Sequence, residues 1–112
     1  MTADEARPEF SVVIPTFDRL ALLRRALADW EMQEPRSLEF EVIVADDGST
    51  DGTAQLLSSW SSGRFAFRFF TQRNAGPARA RNEALRLARG RLLFFAGDDI
   101  FPAPDLLFEL RC

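Results

Sequence analysis

Histidine and lysine are absent from this 112-residue sequence, and cysteine occurs once, at the final position, Cys112. Without lysine there is no Schiff-base chemistry and no P-loop lysine. Without histidine there is no His-based triad. Arginine supplies all 14 basic residues, so any chemistry rests on arginine and on the 17 aspartates and glutamates. One cysteine permits no internal disulfide, which points to a reducing, cytosolic compartment. No apolar run approaches the roughly 18 residues of a membrane span, and the start, Met1 to Glu9, is polar and reads as a flexible lead-in without a signal peptide. The expectation is a cytoplasmic protein, free or at the cytoplasmic face of a membrane. A net charge of −3 argues against a nucleic-acid partner.

What is present is one domain's worth of alternating strand and helix patterns. Leu92-Leu93-Phe94-Phe95 is a run of four large apolar residues without polar alternation, the pattern of a strand covered on both faces. It leads through Ala96 and Gly97 into adjacent carboxylates, Asp98 and Asp99. Earlier, Phe10 to Ile14 is β-rich and is expected to stop at Pro15. Asp18 is a candidate cap for a helix over Arg19 to Gln33, where Leu20, Leu23, Leu27 and Trp30 recur at helical spacing. Phe40 to Ala45 is a second strand. Thr53, Leu56, Leu57 and Trp60 form the apolar face of a second helix, which dissolves into a serine-rich loop. Phe65 to Phe70 is a third strand. Pro77 opens a helix that runs to Arg89, with Gly90 as its stop. Arg91 to Ala96 is the fourth strand, and Asp105 to Leu110 begins another helix. This alternation predicts an α/β protein, a Rossmann-like three-layer α/β/α arrangement on a parallel sheet of spatial order 3-2-1-4.

In such a sheet all strand ends of one polarity share an edge, where open α/β folds bind ligands. Strand one brings Pro15, Thr16, Phe17 and Asp18 there, strand two Asp46 and Asp47, and strand four Asp98 and Asp99. Phe17 can stack on a base. A carboxylate of strand two can accept from a base N–H or a ribose hydroxyl. Two adjacent carboxylates repel unless a cation neutralises them, and a hard divalent ion bridging a diphosphate meets that need. Arg79 and Arg81 lie at a helix N-terminus, where charge and dipole favour an anion. Each feature has a plainer alternative: a packed aromatic at Phe17, a turn and cap at Asp46 and Asp47, a solvated arginine. Their joint placement is the informative observation.

Four stretches together resemble family 2 glycosyltransferases. They are Val12-Val13-Ile14-Pro15-Thr16-Phe17-Asp18-Arg19, then Val42 through Thr53 with its Asp46-Asp47-Gly48-Ser49 centre, then Asn74-Ala75-Gly76-Pro77-Ala78-Arg79-Ala80-Arg81-Asn82, then Gly97-Asp98-Asp99 followed by Pro104-Asp105. The resemblance spans about Phe10 to Leu110. It implies a GT-A fold binding a nucleotide-diphosphate sugar, with UDP favoured, together with Mn²⁺ or Mg²⁺. It would place Pro15 and Phe17 on the base, Asp47 in hydrogen bond with it, and Arg79 or Arg81 toward the base or diphosphate. Asp98 would meet ribose or diphosphate and the metal, and Asp99 would ligate the metal at the place of the DxD motif. The reaction implied is metal-dependent transfer of the sugar to an acceptor hydroxyl on a polysaccharide, lipid-linked glycan or protein.

The resemblance has departures. Phe17 stands for the usual Tyr, Asp18 for the usual Asn, and Gly97 for the first Asp of DxD. Residues 10–112 resemble only the donor-binding half; the acceptor half, with the catalytic base, has no counterpart here. A non-catalytic nucleotide-sugar-binding module is the alternative, and self-association through the exposed edge of the sheet is expected. A receiver domain would need a lysine, and a sugar nucleotidyltransferase would need a glycine-rich loop after strand one.

Overall fold

The computed structural model describes residues 7–34 and 39–111. Eight elements alternate along the chain. They are β1 (Phe10–Thr16), α1 (Leu20–Trp30), β2 (Phe40–Asp46), α2 (Thr53–Ser59), β3 (Ala66–Thr71), α3 (Pro77–Leu87), β4 (Leu92–Phe95) and α4 (Leu106–Arg111). The strands form one sheet of order β3-β2-β1-β4, and every pairing is parallel. The topology expected from the alternation is the one observed.

The layering follows from strand parity. Phe10, Val12 and Ile14 on β1 and Phe40, Val42 and Val44 on β2 point to one face, where Leu23, Leu27 and Trp30 of α1, Leu57 of α2 and Leu107 of α4 complete a buried cluster. Val13, Ile43 and Ala45 point to the other face and meet Ala80 and Ala84 of α3. Alanines on both sides let α3 lie close to the sheet. At about 25 cal/mol per Å² of apolar area, the two clusters are the main stabilising term of the fold.

Several boundaries depart from expectation for local reasons. Pro15 does not stop β1; it pairs in register with Ala45. Val13 O accepts from Ala96 N on the β4 side, whereas Thr16 O accepts from Asp47 N on the β2 side. Pro15 is in phase with Val13, so its missing N–H faces the β4 side, beyond the last β1–β4 pair, Val13 with Phe95, and no ladder bond is lost. Helix α1 ends at Trp30 rather than Gln33. Met32 N and Gln33 N bond back three residues, to Asp29 O and Trp30 O, tightening the last turn, and Glu34 N leaves the helix for Pro104 O. Pro35, expected to close this helix, lies outside the described residues. Helix α3 ends at Leu87 because Arg89 N donates to Glu41 Oε2 at 2.7 Å. Gly90 is required by clearance: a Cβ there would sit 2.5 Å from Ser11 N and 2.6 Å from Phe10 C.

Strand β4 is not covered on both faces. Phe94 packs edge-on against Trp30 and joins the main cluster. Leu93 and Phe95, on the opposite face beyond the reach of α3, are each 46% exposed. The outer edge of β4 is unpaired among the described residues. Of the expected lead-in, residues 1–6 lie outside the described residues. Residues 7–9 are held in place, with Arg7 Nε donating to Arg89 O, and Pro8 O and Glu9 O accepting from Arg91 N and Leu92 N. No described helix is long and apolar enough to cross a membrane.

Candidate functional site at the carboxyl edge of the sheet

A cavity of about 320 Å³ opens at the carboxyl ends of β1, β2 and β4, lined by Pro15, Thr16, Phe17, Arg19, Asp47, Pro77, Ala80 and Asp98. Its size lies at the lower end of small-molecule sites, roughly 300–1,000 Å³. The parallel register places it: Thr16 is opposite Asp46, so the residues that follow each strand emerge side by side.

The turns after β1 and β2 are clipped together. Asp18 adopts φ 50°, a left-handed conformation that aspartate tolerates better than most residues. Its N–H donates to Ser49 Oγ at 2.8 Å and its Oδ1 accepts from Thr50 N at 2.7 Å. Asp18 therefore braces the second turn and does not cap α1. That cap comes from Asp51, whose Oδ2 accepts from Leu20 N at 3.0 Å while its Oδ1 accepts from the Thr53 amide and hydroxyl. The Thr53 hydroxyl and these amides hold the Asp51 carboxyl below the usual carboxylate range, against the opposing effect of burial.

Asp46 and Asp47 are adjacent but do different work. Asp46 is fully buried; Oδ1 accepts from the Ser49 amide and hydroxyl and Oδ2 from Thr71 Oγ1. It shapes its own turn and does not line the cavity. Asp47 does line it. Its Oδ1 accepts from Gln72 Nε2 at 2.8 Å and Ala75 N at 2.7 Å, and its Oδ2 from Gly76 N at 3.0 Å. The Gln72 amide, and then the Ala75 N–H, hold its carboxyl below the usual range, so Asp47 is a carboxylate at neutral pH. Gly76 directly precedes Pro77, so Asp47 also ties the start of α3 to the end of β2.

Across the cavity, Asp98 is buried, and both of its oxygens have partners. Oδ2 accepts from Thr16 Oγ1 at 2.8 Å, and Oδ1 lies 3.3 Å from Arg19 Nη1. Asp99 is exposed and stands outside the cavity lining. Its carboxylate folds back over Gly97, where a Cβ would lie 2.7 Å from Asp99 Oδ1, so Gly97 serves that side chain as clearance. Phe17 lines the cavity and is 44% exposed. Arg79 and Arg81 are both exposed. Arg79 lines a neighbouring cavity of about 260 Å³ with Gln72, Arg73, Asn74 and Ala75, and Arg81 lines neither.

The structure thus brings Pro15, Thr16, Phe17, Asp47 and Asp98 together and leaves Asp46, Asp99, Arg79 and Arg81 outside the lining. Sequence reasoning missed Arg19 and Gln72. Arg19 was legible as the cation directly after the strand-one turn. Gln72 follows the third strand on the same edge, an end that the reading of strand ends left out.

A three-layer parallel sheet with a carboxylate-lined cavity at its carboxyl edge is the arrangement in which open α/β folds bind their ligands. Residues 11–110 match the family model Glycosyl transferase family 2, and the chain belongs to that family. It is 40% identical over 100 residues to validoxylamine A glucosyltransferase of Streptomyces hygroscopicus subsp. jinggangensis, covering 88% of this chain and 24% of that protein. It is 33% identical over 94 residues to GalNAc(5)-diNAcBac-PP-undecaprenol beta-1,3-glucosyltransferase of Campylobacter jejuni, covering 82% of this chain and 30% of that one. Among solved structures, Staphylococcus aureus TarS 1-349 in complex with UDP-GlcNAc superposes with TM-score 0.83 at 30% identity, over 92% of this chain and 30% of that one. A mannosyltransferase of Pyrobaculum calidifontis in complex with GDP-Man and Mn²⁺ superposes with TM-score 0.78 at 30% identity, over 88% of this chain and 30% of that one. The chain spans about a quarter of the length of the curated relatives it matches first.

Proposed function

We propose that this chain binds a nucleotide-diphosphate sugar in the carboxyl-edge cavity, as the donor for glycosyl transfer to an acceptor hydroxyl. The observation that carries the reading is the pairing, in one cavity, of an exposed aromatic face with carboxylates from two different strands. The Phe17 ring offers a base a stacking surface. Asp47 Oδ2, which accepts from Gly76 N, retains capacity to accept also from a base N–H. The TarS complexes with UDP and UDP-GlcNAc support a uridine nucleotide, and the complex with GDP-Man keeps guanosine as the competing choice.

Divalent metal use, Mn²⁺ or Mg²⁺, is part of the proposal. Among the described residues no group of three or more metal-ligating side chains exists. Neighbouring Asp98 and Asp99 nonetheless fit such an ion, because hard cations are commonly held by one or two carboxylates plus substrate phosphates. When bound, the ion supplies a Lewis acid for the leaving diphosphate. The chain's own residues do the remaining work. Thr16 orients the Asp98 carboxylate, Gln72 and the Ala75 and Gly76 amides orient that of Asp47, and Phe17 shields one side of the cavity from water. Both lining carboxylates are engaged by the chain, and neither is a free base for an acceptor hydroxyl. That observation favours, as the second reading, a chain that binds donor without transferring it. The reading extends to a cytoplasmic setting, supported by the single cysteine.

Thermal-shift and calorimetric titration with UDP-, GDP- and TDP-sugars, with and without Mn²⁺, tests the proposal. Stabilisation by one nucleotide class, strengthened by Mn²⁺, is the expected result. No response to any of them removes the reading, and transfer of sugar by this chain removes the binding-only alternative.

A further inference from the structure

Among the eight residues that line the cavity, Arg19 is the sole cation, and Asp47 and Asp98 are the anions. Its guanidinium reaches Asp98 by one contact, Nη1 to Oδ1 at 3.3 Å, rather than by the two-pronged geometry that makes arginine–carboxylate pairs strong. The partners also differ in freedom. The Arg19 side chain is 54% exposed, whereas that of Asp98 is 6% exposed and fixed on its other oxygen by Thr16. Arg19 sits between the turn braced by Asp18 and the first helical residue, Leu20, so its backbone is held while its side chain is free to swing.

Asp98 is nearly buried, and a buried carboxylate needs a counter-charge. Arg19 supplies it in the donor-free chain. A divalent ion held by Asp98 and Asp99 would present a second cation to the same carboxylate, and like charges so close repel strongly. A diphosphate arriving in the cavity would meet two carboxylates and one arginine, and the arginine is the lining group that attracts it.

We propose that Arg19 is a built-in counter-ion that exchanges partners: it holds Asp98 while the cavity is empty and moves onto the donor's diphosphate when a divalent ion takes Asp98 and Asp99. This rests on the donor-site reading above. It makes Arg19 a donor-binding residue and couples the two ligands. The ion alone competes with Arg19 for Asp98, and the diphosphate removes the competitor by giving the guanidinium a new partner. Metal and donor therefore bind cooperatively, with Arg19 carrying the coupling.

Mn²⁺ titration of the nucleotide-free protein, followed by the signal of unbound Mn²⁺ in electron paramagnetic resonance, tests the exchange together with calorimetry of UDP and uridine. Arg19→Gln is expected to bind Mn²⁺ alone about fivefold more tightly than the wild type, the low end of ordinary coupling between sites. With Mn²⁺ present it is expected to bind UDP about tenfold more weakly, the change equivalent to about 1.4 kcal/mol, while uridine affinity stays unchanged. Arg19→Lys keeps the charge and is expected to stay near the wild type for Mn²⁺. In an Asp98→Asn background, Arg19→Gln is expected to have no effect on Mn²⁺. Equal Mn²⁺ affinities for wild type and Arg19→Gln overturn the proposal, as does a parallel loss of UDP and uridine affinity, which would mean that Arg19 merely shapes the cavity. A wild type that binds neither UDP nor uridine instead defeats the donor-site reading, and the Mn²⁺ comparison still judges the counter-ion role.

Discussion

Replacing Glu41 should unfasten one end of α3. This carboxylate is buried on β2, at the opposite edge of the sheet from the cavity. Its Oε2 accepts from Ser11 Oγ at 2.5 Å and from Arg89 N at 2.7 Å, and its Oε1 from Arg68 Nη2 at 2.6 Å. Arg68 Nη2 also reaches Leu87 O at 2.6 Å, so the carboxylate and the arginine together hold the last turn of α3. A hydrogen bond to a charged group contributes about 1.5–3 kcal/mol. The Arg68 pair is partly exposed and adds at most about 1 kcal/mol. Allowing for non-additivity, Glu41→Ala should cost about 3–4 kcal/mol and Glu41→Gln, which keeps the shape, about half of that. A chain of this size is expected to hold roughly 6–17 kcal/mol in total, so the loss is large but leaves a folded protein. Burial by itself would raise the Glu41 pKa; the Ser11 hydroxyl, the Arg89 N–H and Arg68 outweigh it, and the net shift is downward from 4.5. The sign follows. The folded protein holds this proton less readily than the unfolded chain, so the stabilisation is complete above the unfolded pKa and fades as pH falls from about 5 through the lowered folded value. Urea unfolding followed by the fluorescence of buried Trp30, at pH 7 and in steps down to pH 4, measures both effects. A loss under about 1 kcal/mol for Glu41→Ala at pH 7, or an identical acid dependence in Glu41→Gln and wild type, would refute the latch.

Three further outcomes are expected at the site and the sheet edge. Asp47→Ala should weaken UDP binding about tenfold to a hundredfold with or without metal, because the contact proposed for it is to the base; calorimetry showing unchanged affinity removes that role. Asp99→Asn should abolish the Mn²⁺-dependent part of UDP binding and spare the rest, and a titration in which mutant and wild type respond alike to Mn²⁺ moves the ion elsewhere. The 112-residue chain should self-associate at micromolar concentration, since Leu93 and Phe95 form an exposed apolar strip beside a strand edge that is unpaired among the described residues. A monomer mass in light scattering would dismiss it.

The fold was legible because strand and helix periods alternate cleanly and strand polarity converts that alternation into a shared edge. The missing details are of one physical kind, a partner far off in sequence. Pro15 looks like a strand stop until the register shows its absent N–H facing past the end of β4. Glu41 looks like an ordinary alternating charge until Ser11, Arg68 and Arg89 converge on it. The apolar run of β4 cannot say which of its faces is covered, and only Phe94 finds a partner in Trp30. At the site, Asp46 and Asp47 have the same side chain one residue apart, and strand parity separates a turn-former from a cavity wall. The four resembling stretches marked the region, but burial and hydrogen bonding distinguish the residues that line it.

Gln33 offers a different kind of consequence. Its buried side chain donates from Nε2 to Ala103 O at 2.7 Å and accepts at Oε1 from Leu107 N at 3.0 Å, beside the bond from Glu34 N to Pro104 O. One amide thereby moors the chain just beyond the acidic turn, and Ala96 N bonded to Val13 O moors it just before. Residues 97–102 form a short span between two fixed piers. Ordering a loop costs roughly 1–2 kcal/mol per residue in backbone entropy, and here folding meets that cost before any ligand arrives. A ligand at Asp98 would meet a carboxylate already in place. A change at Gln33, in the segment that follows α1 and outside the cavity lining, would be felt there first as slack.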